Sequence, residues 1–535
     1  MKKILLIFSF ISSIGYAQLE EFLPRAYGEP IILNNKMVFS YFTPEFGSEL
    51  WVTDGTASGT QMLADIITGP NSSNPILSKT YVIDDVLYFR GANTPNSVWR
   101  TDGTPQGTFQ LVNNNQIFDA TGFVKCNGFI LFASKIGGND TLWRLWRMTT
   151  FPNSELPIIN TFDGKVINNI TLNSVVKLNE STVMFGANTN QDGWAIFGTT
   201  GATTEMIIDL YQGNNSTYNN YRQINSPRNI DGKIYFSGFQ EATGFELWTS
   251  LGSASSTNLL KDINPNNTIV NAGGSPSAFT KVGNTIYFTA NDGINGREVW
   301  KTEGTAASTQ MVKDVTPGNA SSLPQSLIEF NGFLYFSQSD GTNGTHVWKT
   351  DGTELGTVMV SDALTTSISS AFFDKTSDKL FFAGFSPIYG NELFMIDEND
   401  QLTMIADINP GINGSDPGRV IEYNGYIYFI AKFGNNVNTY RTYRIATSNL
   451  NVESQNQSIA NIKIYPNPAS DYFEITSTDD QTVEIEFVDI MGKKHPVNEL
   501  SKNKFDISHL SNGIYIVKLK NYNNQQISNL KIVKK

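Results

Sequence analysis

Trp51-Val52-Thr53-Asp54-Gly55-Thr56, followed by Gly59-Thr60, is a phrase that this chain repeats. It returns as Trp99-Arg100-Thr101-Asp102-Gly103-Thr104 with Gly107-Thr108, and as Trp300-Lys301-Thr302-Glu303-Gly304-Thr305. A fourth copy is Trp348-Lys349-Thr350-Asp351-Gly352-Thr353 with Gly356-Thr357. A second anchor sets the period. Short apolar stretches end in Phe39, Phe89, Phe132, Phe185, Phe236, Phe288, Phe336, Phe382 and Phe429, spaced 43 to 53 residues apart and about 49 on average. That spacing is in the range of propeller blades, units that bury their apolar faces only against their neighbours.

Each unit reads as four strands. Asn127-Gly128, Asp231-Gly232, Asn331-Gly332 and Asn424-Gly425 each precede a Phe-ending stretch, and this dipeptide between β-rich segments signals a hairpin. In the sixth unit the strands are expected at 277–282, 285–290, 298–302 and 309–315. Four antiparallel strands repeated radially make a β-propeller, which leaves few sheet edges exposed. The ninth unit lacks a fourth strand after Ile445, and the segment 19–24 is expected to supply it and so join the two ends of the ring. The expected fold is all-β: a single large propeller of eight or nine four-stranded blades over 18–446, then a linker over 447–461, then a small β-sandwich over 462–535.

The chain of 535 residues holds 44 Gly and 12% aromatic residues, as a turn-rich all-β protein would. Lys2 and Lys3, the apolar run 4–14 and Gly15-Tyr16-Ala17 have the order of a secretory signal over 1–17, cleaved between Ala17 and Gln18. No later apolar run is long enough to span a bilayer as a helix. With one cysteine, Cys126, an exported protein forms no intrachain disulfide, and cysteine-based metal sites are excluded. Net charge is −12, and setting aside +2 on 1–17 and +1 on 462–535 leaves about −15 between them. Such a surface argues against nucleic acid and anionic lipid as partners.

The repeated phrase invites a reading of Asp54, Asp102 and Asp351 as metal ligands or catalytic carboxylates. Comparison among units argues otherwise. The Asp column holds Asp54, Asp102, Thr200, Leu251, Glu303 and Asp351, whereas the next column holds Gly55, Gly103, Gly201, Gly252, Gly304 and Gly352. A ligand site keeps its carboxylate; a turn keeps the residue that tolerates positive φ. The aromatic column (Trp51, Trp99, Trp146, Phe197, Trp248, Trp300, Trp348, Phe394, Tyr443) is expected to pack blade on blade, and a row of sugar platforms would require exposed rings. Glu49, Glu246, Glu298 and Glu392 lie two residues before that column, on the same strand face, with His346 in the corresponding place; a local hydrogen-bonding role is expected of them.

Little recognisable catalytic chemistry remains. Of three histidines, His495 and His509 fall in the C-terminal region and His346 stands alone in the repeats, so a multi-histidine zinc site cannot form there. There is no phosphate-binding or calcium-binding loop motif, and no catalytic, cofactor or metal-binding residue is assigned. Candidate ligand-binding residues lie where the repeats break pattern. These are Trp143, Arg144 and Arg147 in the third unit, and Tyr211, Tyr218 and Tyr221 in a polar loop between the fourth and fifth; aromatics beside cations suit a sugar or an acidic partner.

Beyond a polar stretch at 448–458, the chain runs Ile462-Lys463-Ile464-Tyr465-Pro466-Asn467-Pro468. The turn Gly492-Lys493, the strand Asn512-Gly513-Ile514-Tyr515-Ile516-Val517-Lys518 and the basic end Lys531-Ile532-Val533-Lys534 follow in order. This segment of about 74 residues closely resembles the type A C-terminal sorting domain of the type IX (Por) secretion system of Bacteroidota. The resemblance implies a cargo that crosses the inner membrane by its signal peptide and the outer membrane by the type IX machinery, which 462–535 would engage. The tail would then be removed and the protein secreted or attached to the outer surface of a Gram-negative cell. The repeats resemble the Glu-Leu-Trp-x-Thr-Asp-Gly-Thr propeller proteins found among such cargo, for which the resemblance implies no defined activity. The expected function is therefore a non-enzymatic binding or adhesion protein with a glycan or surface-protein ligand. The alternatives are a polysaccharide hydrolase or lyase using paired carboxylates, and a structural surface scaffold.

Overall fold

A computed structural model describes residues 19–24, 26–78, 81–113, 117–150, 158–159, 161–162, 165–171, 174–189, 193–210, 224–265, 273–342, 344–360, 372–386, 389–434 and 440–450 of the repeat region. In the C-terminal region it describes 463–465, 469–476, 483–489, 494–511, 513–521 and 527–534. The chain forms two compact units, Met1–Thr447 and Ser448–Lys535.

Among the described residues the first unit holds nine antiparallel sheets. Blade one is Ala26–Leu33, Lys36–Thr43, Gly47–Thr53 and Gln61–Ala64. Blade six is Ser277–Val282, Thr285–Asn291, Arg297–Thr302 and Gln310–Met311. Its last strand is shorter than the sequence pattern suggests, because only these two residues and the Val312 amide, which donates to the Val299 carbonyl, reach the third strand. Blade four departs most. Its inner strand is split into Lys165–Ile170 and Val176–Asn179, which pair with opposite halves of Thr182–Thr189, and the added strand Thr161–Phe162 extends the sheet.

Why these sheets form a ring follows from their side chains. Neighbouring residues on a strand point to opposite faces, and in every blade the middle strands are apolar on both. Phe288 and Trp300 of blade six pack with Tyr235 and Leu247 of blade five, while Tyr287 and Val299 of the same strands pack with Phe336 and Trp348 of blade seven. The same arrangement joins blade two to three and blade three to four. First strands of successive blades lie against one another, as with 224–230, 277–282 and 325–330, and so surround the axis.

Blade nine closes the ring. Its chain-contiguous strands Ile421–Tyr423, Tyr426–Lys432 and Tyr440–Ala446 are completed by Glu20–Pro24, which pairs antiparallel with 441–444. Arg444 clamps the joint. Its Nε donates to Glu20 Oε2 at 2.9 Å, its guanidinium lies 5.0 Å from the Phe22 ring and 4.5 Å from the Tyr426 ring, and its NH1 donates to the Gly55 carbonyl of blade one at 3.0 Å.

The second unit is a sandwich. One sheet holds Lys463–Tyr465, Tyr472–Thr476, Lys504–Asp506 and Asn498–Ser501; the other holds Val483–Asp489, Gly513–Asn521 and Ile527–Lys534. Phe473 and Phe505 from one sheet meet Phe487, Tyr515, Val517 and Ile532 from the other in a shared core.

Removing residues 19–24 is expected to lower the thermal midpoint and to raise hydrogen exchange first across 440–446, whose outer edge then loses its ladder. Unchanged protection there would show that the N-terminal strand does not close the ring.

Candidate functional site

The repeated phrase is a turn whose every residue has a task. Thr53 Oγ1 accepts the Gly55 amide at 3.0 Å and meets Thr60 Oγ1 at 2.8 Å. Asp54 Oδ1 accepts both the Thr56 amide (2.9 Å) and its hydroxyl (2.6 Å), and Thr56 Oγ1 accepts the Gly59 amide at 3.0 Å. The same bonds recur at 101–108 and 350–357. Gly55 sits at φ +94°, where a side chain is strained. The second glycine answers to the carboxylate: a Cβ at Gly59, Gly107 or Gly356 would lie 2.0–2.1 Å from the Asp of its own turn.

Where the Asp is replaced, that glycine is replaced as well. Opposite Leu251 stands Ser256 and opposite Glu303 stands Ser308, five residues on. Ser308 Oγ accepts the amides of Glu303 and Thr305, and Ser256 Oγ accepts those of Leu251 and Ser253. A serine oxygen reaching backward thus fills the role of the carboxylate reaching forward. The paired exchange is visible in the repeats, and column-by-column reading passes over it. The Thr56 and Thr353 hydroxyls and amides hold the Asp54 and Asp351 carboxyls below the usual range, as turn acceptors.

In all nine blades the two sequence anchors are direct cross-strand partners, from Phe39 opposite Trp51 to Phe429 opposite Tyr443. Seven of the nine column aromatics are buried, and Trp51 and Trp99 are half-buried. The column is core, and the exposed platform that sugar stacking requires is absent from it.

Glu49, Glu246, Glu298 and Glu392 are fully buried, each tied to the connection that leads to the next blade. Glu246 accepts the amides of Ile263 (2.7 Å), Asn264 (3.1 Å) and Gly274 (2.7 Å). Glu298 accepts the Ser322 amide and hydroxyl, Glu392 the amides of Ile408 and Asn409 and the Ser415 hydroxyl, and Glu49 the Ile66 and Ser73 amides and the Ser73 hydroxyl. The residue after each far contact is left-handed: Asn74, Ser275, Leu323 and Asp416 have φ of +49°, +42°, +53° and +44°. Non-glycine residues hold this conformation at a cost of about 1–3 kcal/mol, and the buried carboxylate is what holds the loop there. Burial pushes the Glu246, Glu298 and Glu392 carboxyls up to about 7 against the pull of these donors.

Trp143, Arg144 and Arg147 do not converge on one site. Arg147 reaches across to blade four, where its NH1 donates to the Gly201 carbonyl, while its guanidinium lies 4.8 Å from the Phe129 ring of its own blade. Arg144 pairs with Asp140 at 3.7 Å. Trp143, at the other end of the strand, has Lys135 Nζ 5.0 Å from its ring, and Lys135 pairs in turn with Asp119, which also pairs with Arg90. Tyr211, Tyr218 and Tyr221, like Ala17 and Gln18, lie outside the described residues.

The structure instead forms a cavity of about 540 Å³ lined by residues in or just before the first strands of five blades, and therefore on the axis. Ile31, Ile32, Val82, Ile328 and Ile421 give it aliphatic walls, and Asp374, Lys375, Arg419 and Glu422 give it charge. Asp374 is saturated: its oxygens accept Arg419 Nε at 2.9 and 3.0 Å, Arg419 NH2 at 2.7 Å and the Val420 amide at 2.7 Å. These residues belong to no motif. Lys375 and Glu422 stand on one register column of the inner strands, Asp374 is next to it and Arg419 precedes its strand, so only the charges recurring in that column mark the place in the sequence.

Residues 463–535 match the secretion system C-terminal sorting domain family. The protein is thus a type IX export cargo, secreted or attached to the outer cell surface. No curated protein matches the chain. Among solved structures it is similar to PorZ, a bacterial surface component of the type IX secretion system of Porphyromonas gingivalis, at 11% identity and a TM-score of 0.31, over 95% of this chain and 75% of that one. It is also similar to a Mycobacterium tuberculosis puromycin-hydrolysing peptidase at 10% identity and a TM-score of 0.38, over 78% of this chain and 59% of that one. Prolyl endopeptidases are similar at 8% identity and a TM-score of 0.36, over 77% and 55%. The chain spans less than two thirds of the length of these peptidases.

Gly107→Ser alone is expected to displace the Asp102 carboxylate and cost about 1–3 kcal/mol, and Asp102→Leu with Gly107→Ser, which copies blade five, is expected to recover most of it. A double-mutant cycle by chemical denaturation measures this, and strict additivity would refute the exchange. The carboxyls raised by burial bind protons in the folded state that the unfolded chain has lost above its ordinary value near 4.5. Their contribution is therefore present below that value and is withdrawn as pH rises to about 7, while that of Asp54 and Asp351 is lost only in stronger acid. The thermal midpoint is expected to be higher at pH 5 than at pH 8, with a smaller difference in Glu298→Gln; a midpoint rising from pH 5 to 8 would contradict it.

Proposed function

We propose that this is a non-enzymatic binding or adhesion protein, carried through the outer membrane by the type IX machinery engaging its tail, whose propeller presents a ligand site to a glycan or to another surface protein. The axial cavity carries this reading. It is of ligand size, it mixes aliphatic wall with fixed charge as binding pockets do, and it is built from five blades, so a complete ring is needed to form it. Its Asp374 is occupied by Arg419 and the Val420 amide, which suits a fixed charge better than a proton acceptor. Glu422 in the same cavity keeps the carboxylate-pair hydrolase as the second reading.

The test is an array of glycans, polysaccharides and surface proteins probed with the whole protein and scored for both retention and cleavage. Retention without products is the expected result, and products that vanish in Glu422→Gln would replace the binding reading with the enzymatic one. Deleting 463–535 is expected to leave the protein in the periplasm of a type IX-competent host, measured by immunoblot of cell fractions and medium. Undiminished surface or secreted protein would refute the route.

A further inference from the structure

Six inner-strand residues occupy one register: Lys125, Lys177, Lys281, Glu329, Lys375 and Glu422. Each stands opposite the residue two before the Phe anchor of its blade. Five of them are paired. Lys125 meets Asp84 at 2.5 Å, Lys177 meets Glu180 at 2.6 Å, Lys281 meets Asp231 at 2.5 Å, and Lys375 meets Glu329. Glu422 is the exception: it is exposed, it lines the axial cavity, and among the described residues no cation or donor meets its carboxylate. The next blade offers Ile32 at this register and the one after it Val82, both of which line the same cavity.

We propose that Glu422 receives a cationic group, the ammonium or guanidinium of a peptide segment, whose flanking aliphatic side chains lie on Ile32, Val82 and Ile328. This rests on the binding reading and specifies its ligand. A peptide suits these walls better than a sugar, because they are aliphatic and the cavity's one aromatic, Phe373, is buried in the core. The net charge of −12 adds attraction at long range, which raises the encounter rate of a cation at low salt.

The test pans a phage-displayed random hexapeptide library on the full-length protein, then measures the synthesised winners by calorimetry. Winners are expected to carry Lys, Arg or a free amino terminus beside Ile, Leu or Val. Glu422→Gln is expected to weaken them at least ten-fold without moving the thermal midpoint, and Glu422→Lys to turn the preference toward Asp and Glu. Acidic or uncharged winners, affinity indifferent to Glu422→Gln, or no enrichment at all would overturn the axial cation site. A glycan retained equally by wild type and Glu422→Gln would overturn it too, yet leave the binding function standing.

Discussion

A sheet that is apolar on both faces cannot exist alone in water. Each blade here carries large side chains on both sides of its middle strands, Tyr287 toward one neighbour and Phe288 toward the other. Burying one such side chain is worth about 1.5–3 kcal/mol, and no blade gains this without two neighbours. The requirement passes from blade to blade and ends only when the last meets the first. The ring follows from that constraint, and so does the inner cavity, which no single blade could form.

Packing alone leaves the connections between blades undetermined, and polar groups settle them. A carboxylate at the start of the third strand gathers amides from the segment leaving the fourth, at Ile263, Asn264 and Gly274 for Glu246. Buried amides must be paired, so the glutamate both satisfies them and holds the left-handed residue that turns the chain inward. At the opposite end of the strand, the Thr-Asp-Gly-Thr turn works by the same means with an exposed carboxylate. These carboxylates inside the blades are thus structural, and the axial cavity carries further charge at Asp374, Lys375, Arg419 and Glu422.

Much of this was legible in one dimension. The Phe anchors and the aromatic column marked the middle strands, and the kept glycine beside the unkept Asp identified a turn. The N-terminal strand was readable from the missing fourth strand after Ile445. The repeats alone are compatible with eight or nine blades, because blade four splits its inner strand and so blurs the spacing there. Trp143, Arg144 and Arg147 break the repeat pattern together, but residues four apart on a six-residue strand lie near its two ends, and Arg147 reaches the neighbouring blade.

The sequence by itself determined whatever repeats or stays local: the period, the four-strand unit, the turn chemistry and the C-terminal export module. It could do so because hydrophobic alternation and backbone preference act between residues close along the chain. Only the tertiary structure decided which carboxylate of the inner column meets no cation among the described residues. Glu329 and Glu422 are indistinguishable as letters in one column, and they differ because the ring sets Lys375 beside one and Ile32 beside the other.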